Sequence, residues 1–339
     1  MKQYFAGLSR SEINQHLSYL PGYRSKQIYK WIINGADDFE QMTDLPAALR
    51  SEISSRFSLF SSIVSSNLGD KFTKKIILTL YDESKIEAVL LNDGKKRFTA
   101  CISTQVGCPA GCLFCKTGSL GFKRNLESFE IVEQFLHLKR LNGGQIDNIV
   151  IMGMGEPLLN SENLKKALEV LNDKDGLCIS RRRITVSTCG IIEGIFNIAN
   201  NLPFSKLALS LTTGDEDLRR RLMPISASNP LDKIKKGLIL FQQNGGGRIT
   251  LEIPLLSGIN TRNKDAASIA SFAKGLDYVV NLIPWNPVEG LEFEGSPIRE
   301  CGNKETQDFI QRLETYGLKV TTRRHKGRSI LGACGQLGE

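Results

Sequence analysis

The sequence predicts an α/β fold: an open, partial (β/α)6 barrel preceded by a small N-terminal helical domain and a β-hairpin. Three observations lead there. From residue 98 onward, short apolar runs of strand period alternate six times with amphipathic stretches of helical period. Residues 1–60 carry helical spacing only, and 61–94 switch to strand-like runs. The 339 residues, 41% apolar and 24% charged, are enough for such an architecture.

In the N-terminal segment, Ser11 is placed to cap a helix running through Leu17 and Leu20. Ser25 is placed to cap one carrying Ile28, Trp31 and Ile32, and a third should follow Pro46 through Leu49 and Ile53. Residues 75–80 and 86–91 read as two strands turned by Asp82-Glu83-Ser84. A boundary near Asn92-Asp93-Gly94 divides the chain into 1–60, a hairpin linker over 61–94, and the barrel over 95–339. Barrel strands are expected at 98–103, 148–152, 184–187, 207–211, 249–254 and 279–283. Helices are expected at 127–141, 161–172, 191–200, 230–243, 264–274 and 304–316. Strand-then-helix units in series imply a parallel sheet, and 318–322 should add an edge strand.

Chemistry in such folds collects at the carboxyl ends of the strands. The unusual residues fall there. A cysteine-rich loop follows the first strand, Gly153-Met154-Gly155-Glu156-Pro157 the second and Thr188-Cys189-Gly190 the third; Thr212-Thr213-Gly214 follows the fourth and Pro284-Trp285-Asn286-Pro287 the sixth.

No run approaches the ~18 apolar residues needed to span a bilayer, and the N-terminus lacks the apolar core of a signal peptide. Of eight cysteines, four (Cys101, Cys108, Cys112, Cys115) lie within fifteen residues. In a chain of this size that clustering suggests metal binding or catalysis in a reducing, cytoplasmic setting, not a disulfide scaffold. Net charge is +8, and residues 91–339 carry 33 basic against 26 acidic side chains. The excess includes Lys95-Lys96-Arg97, Lys123-Arg124, Arg181-Arg182-Arg183, Arg219-Arg220-Arg221, and Arg323-Arg324-His325-Lys326 with Arg328. Any one of these is an ordinary solvated helix end; five together favour a nucleic acid as partner.

Cys108-Pro109-Ala110-Gly111-Cys112-Leu113-Phe114-Cys115 puts three thiols on one short loop. They can hold three corners of a four-iron cubane and leave the fourth iron open to a ligand. Zinc, with Cys101 as a fourth thiolate, is the alternative, and an unliganded core cluster is a third.

The Cys-x-x-x-Cys-x-x-Cys spacing after a first strand, with Phe114 beside the last cysteine, resembles the radical SAM superfamily. The likeness extends to one branch through Ser103-Thr104-Gln105-Val106-Gly107-Cys108, Gly153-Met154-Gly155-Glu156-Pro157, Asn281-Leu282-Ile283-Pro284-Trp285-Asn286-Pro287 and Ala333-Cys334-Gly335-Gln336-Leu337. In these, and in Tyr29-Lys30-Trp31 and 39–45, the chain is similar to the dual-specificity 23S rRNA/tRNA adenine C2-methyltransferase family.

That resemblance implies a barrel of radical SAM type, an RNA-binding N-terminal domain, and one 4Fe-4S cluster on Cys108, Cys112 and Cys115. It implies S-adenosylmethionine as methyl donor and radical source, two molecules per turnover, because adenine C2 is not nucleophilic. Cys334 would accept the first methyl group and a radical would then be formed on it. That radical would add to the adenine; Cys101 would release the product by forming a disulfide with Cys334, and Glu87 would take the C2 proton. Gly155 and Glu156 would hold the amino end of S-adenosylmethionine, and Ser187, Ser210, Leu211, Thr212 and Asn286 its ribose and methionine parts. The implied partners are 23S rRNA, tRNA and an electron donor such as flavodoxin, with a monomeric, cytoplasmic enzyme and no membrane.

Two positions depart from the family pattern: Thr212 stands in place of histidine, and Ser329 in place of an aspartate. Cys178, Cys189 and Cys301 match no family role. The competing readings are a C8-adenine methyltransferase of the antibiotic-resistance branch, a non-catalytic zinc RNA-binding protein, and a radical SAM enzyme for a small metabolite.

Overall fold

The computed structural model describes residues 3–201, 206–322 and 326–338. Ten strands form one sheet: β1 (Ile63–Gly69), β2 (Thr73–Thr79), β3 (Lys85–Asn92), β4 (Phe98–Cys101), β5 (Asn148–Ile151), β6 (Ile184–Thr188), β7 (Lys206–Ser210), β8 (Ile249–Leu255), β9 (Tyr278–Pro284) and β10 (Val320–Thr322). Their order across the sheet is their order along the chain. β1 to β4 run antiparallel, and β4 to β10 run parallel. No described pairing joins β1 to β10, so the barrel is open.

Helices follow the parallel strands as expected: α4 (Ser128–Leu141), α5 (Ser161–Asn172), α6 (Ile192–Asn201), α8 (Leu231–Gln243), α9 (Asn263–Ala273) and α10 (Asn303–Thr315). α7 (Glu216–Leu222) was not foreseen. Strand alternation divides the layers. In β8, Ile249, Leu251 and Ile253 are buried in the apolar core, while Thr250, Glu252 and Pro254 turn inward to cavities.

The N-terminal helices are α1 (Arg10–His16), α2 (Gly22–Ile33) and α3 (Ala47–Arg56). Ser9, not Ser11, caps α1. It makes a reciprocal box with Glu12, whose backbone N–H donates to Ser9 Oγ at 3.2 Å while Ser9 N–H donates to Glu12 Oε2 at 2.7 Å. Ser25 likewise is no cap. α2 starts after Pro21, and Ser25 Oγ within it donates to Gly22 O. Residues 61–94 hold three strands, β1 being additional to the hairpin.

The link from α3 into the sheet is fastened by Glu133 of α4. Its buried carboxylate accepts from Ser61 N (2.8 Å), Ser61 Oγ (2.9 Å) and Ser62 Oγ (2.6 Å). Ser62 Oγ also lies 3.1 Å from His137 Nε2.

Candidate active site

The carboxyl rim of the parallel strands holds a cavity of about 190 Å³. Cys108, Cys112 and Cys115 open into it from the loop after β4, with Gly155 and Glu156 after β5, Ser187 on β6, and Ser210 and Thr212 at the end of β7. A second cavity of about 890 Å³ fills the barrel interior, with Cys101, Thr250, Asn281, Asn286 and Lys95 in its wall. Four side chains face both cavities: Met152, Glu252, Ile283 and Cys334.

The cysteine loop is held from three sides. Ser103 Oγ donates to Glu87 O at 2.7 Å and accepts from Met154 N at 2.8 Å, joining β3 to the loops after β4 and β5. Gly155 sits at φ +99°, and a Cβ there would come within 2.5 Å of Gln105 Cβ, so only glycine fits. Trp285 Nε1 donates to Phe114 O at 2.9 Å, which ties the loop after β9 to the cysteines.

The C-terminal segment is sewn onto the same loop. Lys116 N donates to Gly335 O (2.8 Å), Thr117 Oγ1 to Leu337 O (2.6 Å) and Asn286 Nδ2 to Cys334 O (3.0 Å). These bonds carry Cys334 into the wall between the cavities, although it is more than 200 residues from the cysteine loop in sequence.

Burial pushes the Cys108 thiol up to about 12, and it raises Cys112 and Cys115 as well. Such thiols stay protonated unless a metal replaces their protons. Among the described residues, no three His, Cys, Asp or Glu side chains gather around one point closely enough for a single ion. A cubane puts each thiolate on a separate iron, so this donor set fits a cluster better than one zinc ion. Cys101 faces the larger cavity, not the three cysteines, which removes the proposed fourth zinc ligand.

The other expected residues have the following partners and places. The Glu156 carboxylate accepts from Cys189 N (2.7 Å) and Leu158 N (3.0 Å), so it braces the loops after β5 and β6. Leu211 is fully buried in the core and lines neither cavity. Asn286 faces the larger cavity. Glu87 shares the inward face of β3 with Val89 and Leu91, is buried, and pairs with the buried Lys75 at 3.5 Å. The disulfide between Cys101 and Cys334, expected on product release, is not present among the described residues.

Thr212 adopts φ +65°, an uncommon conformation for a β-branched residue, and its buried Oγ1 has no partner among the described residues. Ser329 Oγ lies 3.2 Å from Asp70 Oδ2, so a carboxylate from the β1–β2 turn stands beside the position that lost one.

The basic clusters are largely engaged. Arg124 pairs with Asp82 and Glu130, Arg328 with Glu300, and Arg219 is fully buried. Residues 95–97 and 181–183 are exposed, and 323–325 lie outside the described residues. Cys189, on the rim loop singled out from the sequence, lines the smaller cavity, whereas sequence reasoning assigned no site role to Glu252, Lys75 or a buried Arg219. Their only signal was polarity at inward positions of strands or inside a basic run.

Residues 102–268 match the radical SAM superfamily, and residues 5–59 match the ribosomal RNA large subunit methyltransferase N-terminal domain. The chain is 47% identical over 338 residues to a probable dual-specificity RNA methyltransferase RlmN of Treponema denticola, covering 99% of this chain and 96% of that protein. A protein of the same description from Treponema pallidum strain Nichols is 43% identical, covering 98% and 97%. The crystal structure of a radical SAM methyltransferase from Sphaerobacter thermophilus superposes with a TM-score of 0.92 at 34% identity, covering 99% of each chain. Superfamily membership implies a 4Fe-4S cluster and S-adenosylmethionine. Identity at this level along almost the whole of both chains makes this protein a member of the RlmN family of dual-specificity RNA methyltransferases, enzymes of radical SAM type.

Proposed function

We propose that the chain methylates C2 of adenine in 23S rRNA and in tRNA, with a methyl-cysteine on Cys334 as intermediate and two S-adenosylmethionine molecules consumed per turnover. The observation that carries this reading is the place of Cys334 in the wall shared by the two cavities. A methyl carrier must meet the donor on one side and the acceptor base on the other. The larger cavity, about 890 Å³, suits an adenosine turned out of its stack.

Cys108, Cys112 and Cys115 would hold the single cluster. When bound, cluster and S-adenosylmethionine supply a primary carbon radical able to attack an unactivated position. The chain does the rest. Asn286 holds the carbonyl of Cys334 and so orients the carrier. Cys101, open to the same cavity, resolves the covalent protein–RNA adduct. Glu87, on the inward face of β3, accepts the C2 proton. Gly155, Ser187, Ser210 and Thr212 line the donor cavity, where Thr212 Oγ1 offers an unused hydrogen-bonding group.

We assign RNA recognition to residues 1–60, a linker to 61–94 and the catalytic barrel to 95–339. The match of residues 5–59 to the N-terminal domain of this methyltransferase class supports the first of these. The enzyme acts in the cytoplasm as a monomer, with reducing equivalents from a donor such as flavodoxin. Among the described residues no helix is long and apolar enough to cross a membrane.

The test is Cys334→Ala, purified without oxygen and assayed on 23S rRNA fragments and tRNA. Iron content and cluster absorbance should match wild type while 2-methyladenosine, read by mass spectrometry, disappears. Methylated RNA from this variant would refute the carrier role.

A further inference from the structure

Arg219 belongs to the Arg219-Arg220-Arg221 run, yet its side chain is fully buried. Arg220 and Arg221 face solvent and pair with Asp217 and Glu294. The Arg219 guanidinium instead reaches three backbone carbonyls at the rim. Nε donates to Leu211 O at 3.2 Å, and Nη2 donates to Cys189 O and, at 3.4 Å, to Ser210 O. Its Nη1 is buried without a partner, and no carboxylate lies within ion-pairing distance among the described residues.

Burial of an unpaired guanidinium is costly even after relaxation. Arginine cannot escape by losing its proton. Burial disfavours this cation, and the side chains whose negative charge would offset that are Cys189, Cys112, Glu216 and Glu156. α7 also abuts the cysteine loop: Leu113 N, between Cys112 and Cys115, donates to Leu222 O at 3.0 Å. A fixed positive charge thus stands buried at the rim, on the helix that abuts the cysteine loop.

We infer that Arg219 is a built-in counter-cation for the cluster, a positioning residue that favours its one-electron reduction. A cubane on thiolates is anionic and takes a further negative charge when reduced. A fixed cation at low dielectric stabilises that second state more than the first, and local charge is one of the main determinants of cluster potential. The same three bonds clamp the ends of β6 and β7, so a purely structural role must be separated from the electrostatic one.

The inference rests on the three-cysteine cluster, and the experiment distinguishes the two. Wild type, Arg219→Gln and Arg219→Lys are reconstituted without oxygen; iron and sulfide per chain are measured, then the reduction midpoint by spin resonance. Arg219→Gln should make reduction at least about tenfold less favourable, a drop of about 59 mV. Arg219→Lys, which keeps the charge but not the three-carbonyl clamp, should stay within about threefold of wild type. A fully loaded Arg219→Gln protein with the wild-type midpoint overturns the inference. So does Arg219→Lys shifting as far as Arg219→Gln. Should Arg219→Gln fail to load, Arg219→Lys decides alone: a loaded protein within about threefold of wild type supports the counter-charge, and a shift of tenfold or more overturns it. Wild type without iron would instead defeat the cluster reading.

Discussion

The Glu133 knot between Ser61, Ser62 and His137 gives a prediction that can be worked through in numbers. Burial holds the Glu133 carboxyl at about 8 instead of its ordinary 4.5, even though the three donors from Ser61 and Ser62 pull it down. Burial also holds His137 at about 4, below its ordinary 6.5. A carboxyl raised in the folded state contributes its stability in full below 4.5 and loses it as pH rises through 8. An imidazole depressed in the folded state contributes in full above 6.5 and loses stability as pH falls toward 4. The two slopes oppose each other between 4.5 and 6.5, and above 6.5 Glu133 acts alone. At roughly 1.4 kcal/mol per unit, Glu133 costs the fold about 2 kcal/mol between pH 6.5 and 8.

Glu133→Gln removes the titration but keeps an acceptor for Ser61 N, and the serine hydroxyls can turn to accept from the new amide. The variant should therefore gain on wild type by about 2 kcal/mol over that interval. The assay is urea unfolding of both proteins at the two pH values, where other titrations cancel in the difference. With a slope of roughly 3 kcal/mol per molar, the midpoint gap should change by about 0.7 M. A gap that does not move with pH would refute the reasoning.

Thr212→Gly removes a β-branched side chain from a left-handed backbone and should stabilise the unliganded protein by about 1 kcal/mol, read from unfolding midpoints. The same change deletes the unpartnered Oγ1, so calorimetry should show weaker S-adenosylmethionine binding. Gly155→Ala places a Cβ against Gln105 and should destabilise by about 2 kcal/mol or more, with loss of donor binding. Cys101→Ala should accumulate a covalent protein–RNA adduct, visible as a nuclease-sensitive species of raised mass, and an absence of adduct would remove Cys101 from product release.

Strand and helix periods read well wherever each element had one buried face. The runs at 148–152, 184–187 and 249–254 became β5, β6 and β8 within a residue or two because their apolar side chains were packed beneath helices. β1 escaped notice because Ile63 is exposed and Ser65, Ser66 and Asn67 dilute the alternation; its pairing with β2 defines it. Ser9 and Ser11 are equally good caps by composition, and only the reach of Glu12 to the Ser9 amide distinguishes them. The motif cysteines pointed to the site, since their spacing is itself the chemical requirement. In the sequence Arg219 has the look of a surface charge, because a run of three arginines gives no indication of which one α7 turns inward. Leu211 shows the converse, being adjacent in sequence to lining residues yet facing the other way.

A sheet whose spatial order repeats its chain order also has a consequence for biosynthesis. Each strand leaving the ribosome finds its neighbour already made, so the barrel can grow by simple addition, with few distant pairings to await. The segment around Gly335 and Leu337, by contrast, must reach back across more than 200 residues to Lys116 and Thr117. A chain cut short before residue 334 would therefore hold the ten-stranded sheet and lack the cysteine that stands between the two cavities.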